Sequence, residues 1–243
     1  MNCIELFAGG RSFGRAAEKQ GHVVFSSDYK PFEGIDYVTD IMNFNPSKVP
    51  FDKVHVVWAS PPCEKWSMLQ AVKGGGNPSF ETIKVGGKVV DIKRRTNFTI
   101  ESPFLKFPEK IIKEREIHIG YLEKTLEIIR IFNPDFFFIE NPKSGLMRFY
   151  LKDHPMYHNH ATYCQYGFRY QKVTNIFSNV LLNLKSCKKG DSCHEDVLSK
   201  RWDSRKQNHD MCVKTYYERS LIPEDLIIDI LTQTCPMYHN HLT

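Results

Sequence analysis

Four groups of residues in this 243-residue chain have the types and spacing to do chemistry. The first is Ser60-Pro61-Pro62-Cys63. The apolar run Val56-Val57-Trp58-Ala59 reads as a strand. Two prolines fix φ and remove two backbone donors, so the strand must stop there and deliver Cys63 into a constrained loop. A free cysteine is usually buried as a small hydrophobe. One handed out by a strand end is better placed to act as a nucleophile through its thiolate. The second group is Glu140-Asn141-Pro142, at the end of the apolar Asp135-Phe136-Phe137-Phe138-Ile139. Such a run is typical of a buried parallel strand, and a carboxylate at its carboxyl end sits where open α/β sheets bind ligands and can serve as an acid. The competing reading, an exposed loop glutamate, fits the apolar strand poorly.

The third group is a turn, Phe7-Ala8-Gly9-Gly10-Arg11-Ser12, followed by Asp28 and then by Asp40-Ile41. Glycines let a ligand approach the backbone, and the next helix offers unpaired N–H groups. An acid about 20 residues after such a turn stands where nucleotide-binding folds hold ribose hydroxyls. The fourth group is Cys164, Cys187, Cys193 and His194, with His209 and Cys212 beyond. Thiols and an imidazole suit zinc, although the spacing is looser than a zinc finger's and ordinary free thiols are the competing reading.

The elements that must position these groups are legible in part. Strands are expected over 2–7 and 22–27, with a third ending near 38–41. A helix is expected over 15–20, closed by Gly21, and strand, glycine turn and helix together open a nucleotide-binding α/β unit. Residues 82–85 and 88–92 alternate about Gly86-Gly87 and predict a hairpin. Glycines at 74–76 suggest a loop that moves beside Cys63. The basic run Lys93-Arg94-Arg95 reads equally well as a phosphate contact or a solvated face. Apolar residues at Ile117, Tyr121, Leu122, Leu126, Ile129 and Phe132 predict an amphipathic helix stopped by Asn133-Pro134.

Length allows one large α/β domain with ample core. A net charge of +5 permits a nucleic-acid partner without demonstrating one. No apolar run approaches the ~20 residues of a membrane span, and no basic, apolar leader precedes Ile4, so a soluble, unsecreted protein is expected. Seven cysteines, an odd number, suit a reducing compartment better than a disulfide framework.

Taken in series, Glu5-Leu6-Phe7-Ala8-Gly9-Gly10, Asp28, Asp40, Ser60-Pro61-Pro62-Cys63 and Glu140-Asn141-Pro142 resemble the motifs of the DNA (cytosine-5) methyltransferases, and within them the short phage-type enzymes. The likeness covers residues 1 to about 180, and Pro-Pro-Cys with the later Glu-Asn carries it. It implies a Rossmann-like S-adenosylmethionine-dependent fold with a mostly parallel central sheet and helices on both faces. Residues 1–180 and 216–243 would form the catalytic domain and 181–215 a small target-recognition insert. Cys63, Glu140 and Asn141 would be catalytic, and Phe7, Ala8, Gly9, Gly10, Arg11, Ser12, Asp28, Asp40, Ile41, Ser60 and Pro61 would hold the cofactor.

Arg11 and Ser12 stand where many members have glycine, and Pro142 replaces an aliphatic residue. The stretch Tyr166 to Asn175 resembles a motif of a glutamine and two alternate arginines, whose places Tyr170, Lys172 and Thr174 take, so a contact to the flipped base is either lost or supplied by Arg169; Pro62, Arg169 and Lys172 are the expected substrate contacts. Residues 218–223 and the amphipathic 226–231 resemble a returning final helix that closes the cofactor pocket.

The insert lacks a core of its own, and zinc on Cys164, Cys187, Cys193 and His194 would supply one if 163–169 and 175–183 form a hairpin. The expected substrate is double-stranded DNA, in the cytoplasm of a bacterium or phage-infected host, and the expected state is a monomer. RNA of the transfer type is the rival substrate, and a non-catalytic nucleic-acid-binding protein is the rival class. The hexapeptide Pro155-Met156-Tyr157-His158-Asn159-His160 recurs as Pro236 to His241 and is assigned no role.

Overall fold

Strands that are apolar on both sides stack beside one another because only the middle of a sheet hides both faces. The computed structural model describes residues 1–67, 77–96, 98, 107–188, 190–194 and 220–234. In it β1 (Asn2–Leu6), β2 (Val23–Asp28), β4 (Val56–Ala59) and β7 (Phe136–Pro142) lie parallel at the centre of a seven-stranded sheet. Its order is β3-β2-β1-β4-β7-β9-β8, with β3 at Tyr37–Val38, β8 at Tyr157–Thr162 and β9 at Val173–Ser178. Strand β9 runs antiparallel to both its neighbours. The order reverses beside β1, as in doubly wound nucleotide-binding folds, and the fold is Rossmann-like.

Alternation along the strands divides the core in two. Ile4, Leu6, Val57, Ala59, Ile139 and Phe177 face a layer containing α2 (Pro108–Phe132) and α3 (Met147–Tyr150). Cys3, Val24, Val56, Trp58, Phe138 and Ile176 face α1 (Ser12–Lys19) and α4 (Glu224–Thr234). Helix α4 reaches back to α1, where the Ile222 N–H donates to Ser12 Oγ at 3.2 Å. This is the returning helix that the residues around 226–231 suggested.

The hairpin β5 (Phe80–Val85) and β6 (Lys88–Arg94) forms about Gly86-Gly87 as expected, but as a separate two-stranded sheet. Helix α2 starts nine residues before the expected 117, at Pro108, a residue suited to a first turn. Its opening turns escaped the apolar pattern because they use charge. Glu114 pairs with Lys65, Glu116 with Arg94, and buried Arg115 donates to the carbonyls of Ser79 and Arg95. Helix α1 begins at Ser12, ahead of the expected 15.

The expectation of a hairpin from 163–169 and 175–183 is corrected. The hairpin is β8 with β9, and 163–166 is a tight 3-10 turn ended by Gly167 at φ +89°. Tyr163, Tyr166 and Phe168 fold onto the core across that turn, which a straight strand would not allow. The first hexapeptide copy therefore lies mainly in β8, where Asn159 Nδ2 donates to Ile176 O, Ser178 Oγ and Val180 O and its Oδ1 accepts from Leu182 N–H. The second copy, Gly74 to Gly76, His209, Cys212, residues 195–215 and Glu218-Arg219 lie outside the described residues. No described helix is long and apolar enough to cross a membrane.

Candidate active site

Because β4 and β7 pair in parallel, Ala59 against Ile139, the segments that follow them emerge at the same sheet edge. Cys63 and Glu140 are thereby brought together, close enough for the carboxylate to act on the thiol. Burial first and the Glu140 charge second push the Cys63 thiol above its ordinary range, while the Lys172 ammonium pulls it back. Glu140 is 7% exposed, and its Oε1 accepts from the Tyr163 hydroxyl at 2.9 Å and from Thr174 Oγ1. Tyr163 is wholly buried, and Lys172 Nζ lies 4.5 Å from its ring centroid. Burial, followed by the Glu140 charge, drives the Tyr163 phenol well up from its usual value, so the hydroxyl keeps its proton and donates.

The loop bearing Cys63 is clasped from both sides. Asn141 Nδ2 donates to Pro61 O at 3.1 Å, and the His118 Nδ1 of α2 meets Pro62 O at 3.2 Å, as donor when that nitrogen carries the proton. Burial pushes the His118 imidazole below its usual range, the Pro62 carbonyl opposing it, which keeps the ring neutral near pH 7. Downstream, buried Trp66 stacks on Phe80 at 5.1 Å, and the Trp66 carbonyl accepts from Leu146 N–H. Asn77 ties this part of the chain together: its Nδ2 donates to Lys65 O and Ser67 O, and its Oδ1 accepts from the N–H groups of Ser79 and Phe80. Neither His118 nor Asn77 follows from motif or period. A polar residue just past a triple glycine was the only sign of the second.

The turn after β1 lies beside the ends of β2 and β4. Phe7 at φ +56°, Gly9 at +48° and Arg11 at +55° are all left-handed. That conformation favours glycine and strains Phe and Arg, which is the physical sense of the glycines that Arg11 displaces. A Cβ on Gly9 would meet nothing within 4 Å, so open space faces the turn there. Asp28 accepts the Gly9 N–H at 2.9 Å through Oδ2 and the Lys30 N–H through Oδ1, and Asp40 caps the short helix Ile41–Asn43 through Met42 N–H.

The side chains of Arg11 and Ser12 turn into the protein. Arg11 bonds Ser26 and Glu18, and Ser12 holds Ile222, while the Arg11 N–H donates to Ala8 O and its carbonyl accepts from Arg15 N–H. Glu5, beneath the turn, accepts the Phe13 N–H and the Ser26 hydroxyl. Phe7 and Tyr121 approach to 6.2 Å, and Tyr121 and His118 to 5.7 Å, so α2 spans from the glycine turn to the cysteine loop.

Of the remaining expected contacts, Pro62 lies in the clasped loop, Lys172 stands beside Cys63, and Arg169 is exposed on the turn before β9. The run Lys93-Arg94-Arg95 is engaged within the protein, by Glu81, Glu116 and the Asn77 carbonyl. Away from this edge, the donor atoms of Cys164, Cys187, Cys193 and His194 lie within 4.8 Å of one another. Residues 182–187, the start of the expected insert, are stitched to the core through Asn159, Thr162, Tyr166 and Gln233.

No family model matches the chain. It is 27% identical over 209 residues to a Frog virus 3 (isolate Goorha) protein named Probable DNA (cytosine-5)-methyltransferase, covering 83% of each. Among solved structures it is similar to a DNA modification methyltransferase encoded within an Escherichia coli prophage, with a TM-score of 0.45 and 14% identity, covering 73% of this chain and 46% of that one. A DNMT2 variant of Spodoptera frugiperda gives 0.41 and 17%, covering 78% and 56%. The chain spans about half the length of these two structures.

Proposed function

From the likeness to a DNA (cytosine-5) methyltransferase we propose that the chain belongs to that family and moves a methyl group from S-adenosylmethionine to C5 of cytosine in DNA. The observation that carries the reading is that β4 and β7, paired in parallel, bring a thiol and a carboxylate to one sheet edge, where the start of β9 adds the Lys172 ammonium.

Cytosine C5 is a poor nucleophile. Addition of the Cys63 thiolate to C6 forms an S–C6 bond and gives the ring enamine character at C5. Glu140, fixed by Tyr163 and Thr174, supports that step by bonding or protonating N3, where negative charge would otherwise gather. Lys172 favours the thiolate and neutralises charge beside it. When bound, S-adenosylmethionine would supply an electrophilic methyl on a sulfonium, its thioether being the leaving group when C5 attacks. Loss of the C5 proton to a base then expels the Cys63 thiolate and restores the ring. A base within a duplex is out of reach of this sulfur, so the cytosine is flipped out first.

The open turn 7–12 and the carboxylates at 28 and 40 fit the cofactor. Backbone of Ala8, Gly9, Gly10, Arg11 and Ser12 would cradle its methionyl part, Asp28 its ribose, and Asp40 with Ile41 its adenine, while Phe7, Ser60 and Pro61 line the same edge.

An oligonucleotide carrying 5-fluorocytosine tests the chemistry, because fluorine cannot leave as a proton does. With cofactor present the protein is expected to become covalently linked, and Cys63→Ala is expected not to. Linkage that persists in Cys63→Ala defeats the assignment. Labelled-methyl transfer to duplex DNA and to transfer RNA, run side by side, fixes the substrate.

A further inference from the structure

We propose that Cys164, Cys187, Cys193 and His194 bind one zinc ion in a closed structural site that fastens residues 187–194 to the turn 163–166. All four donor atoms lie within 4.8 Å of one another, and four of the six distances among them are close to the edges of a zinc tetrahedron. Cys193 Sγ lies 3.5 Å from Cys164 Sγ and 3.4 Å from Cys187 Sγ, and His194 Nδ1 lies 3.5 Å from Cys187 Sγ and 3.6 Å from Cys193 Sγ. Zinc bonds of about 2.3 Å to sulfur and 2.0–2.1 Å to nitrogen set the edges of such a tetrahedron at about 3.8 Å between sulfurs and about 3.6 Å between sulfur and nitrogen. Three soft sulfurs and an imidazole select zinc over calcium, magnesium or manganese. With four protein donors, no position is left for water or substrate, so the ion is structural.

Two further observations agree. Gln165 Nε2 donates to Cys193 Sγ at 3.1 Å, the kind of outer hydrogen bond that orients a ligating sulfur. From 188 to 194 no described residue is buried. Those residues have no apolar reason to hold their course, and a metal supplies the missing free energy. The four ligands come from two separate pieces of chain: a 3-10 turn fixed to the core, and a polar strap beyond β9.

Metal analysis of protein purified in reductant without added zinc is expected to give about one zinc per chain that survives dialysis. Cys193→Ser and His194→Ala are expected to lose it, whereas His194→Cys and Cys63→Ser keep it. Should the first two variants fail to fold, cobalt exchanged into the unaltered protein gives a second readout: the sulfur-to-cobalt charge-transfer band and intense visible bands of a tetrahedral thiolate site. Zinc far below one per chain with cobalt bands of octahedral weakness, or a disulfide among the three cysteines in the reduced protein, overturns the proposal. None of these readouts depends on methyl transfer, so failure here is distinct from failure of the activity.

Discussion

Lys172 holds the most informative position among single residues. Burial and Glu140 both oppose ionisation of Cys63, and the Lys172 charge opposes them. A thiol with a raised pKa makes the free enzyme gain activity as the solution becomes more alkaline. Lys172→Met is expected to move that rise to higher pH, with the largest loss near neutrality and partial recovery at high pH, while Lys172→Arg leaves it near its original place. A pH profile of kcat/KM that does not move in Lys172→Met would remove the ammonium from the account.

Glu5 offers a stability test of the same kind. Burial raises it from an ordinary 4.5 to about 7, against the pull of the Gly14 amide, Ser26, Arg11 and the Phe13 amide. The folded chain holds this proton more tightly than the unfolded one. The stabilisation is complete below about pH 4.5 and is lost as the pH rises through about 7. Its full size is about 3 kcal/mol. Glu5→Gln, fixed in the neutral form, is expected to flatten the dependence of the unfolding midpoint on pH across that window. An unchanged slope would show that the proton is held elsewhere.

Among the elements, α2 and the turn 163–166 do more than cover the sheet. Through His118, α2 holds the carbonyl next to the nucleophile, and through Lys65–Glu114 it holds the short helix beyond. His118→Ala is expected to lower kcat roughly 10- to 100-fold through loss of alignment, with DNA affinity little altered. A change in affinity alone would give His118 to substrate binding instead. In the turn, successive residues hold different parts of the molecule. Tyr163 meets Glu140, Cys164 and Gln165 meet the thiol cluster, and Tyr166 bonds Asp229 on α4.

What could be read beforehand follows from how these elements are made. The central strands, β5–β6 and the second half of α2 are specified by local apolar patterns, and they stood out. The first turns of α2, which use ion pairs, and the turn 163–166, which uses aromatic packing across a bend, depend on partners distant in sequence. The cysteine and histidine ligands were recognised by type, whereas their meeting follows from a different hairpin than the one expected. Cys63, Glu140 and Asn141 stood out because they follow or close apolar strand runs. His118 and Asn77 were not, since a lone polar residue carries no period.

On the scale of the whole molecule, the sheet divides the labour. Turns at the ends of β1 and β2 face the expected cofactor side, β4 and β7 carry the thiol and the acid, and β9 brings Lys172 and Thr174 beside them. Because β9 runs antiparallel to β7, the residues at its start lie beside the carboxyl end of β7, Thr174 opposite Pro142.

Under the proposed activity, the grip on the two proline carbonyls also bears on which duplex reacts fastest. With the loop before Cys63 braced from a strand and from a helix, the costs left are ionising the thiol, which is the same for every substrate, and freeing the target from its partner and neighbours, which is not. Cytosine opposite a mismatched base, its pairing already weakened, is therefore expected to be methylated faster than the paired one. The ratio of the two rates then gauges the energy of base opening, as if the protein were a fixed anvil against which the duplex is tested.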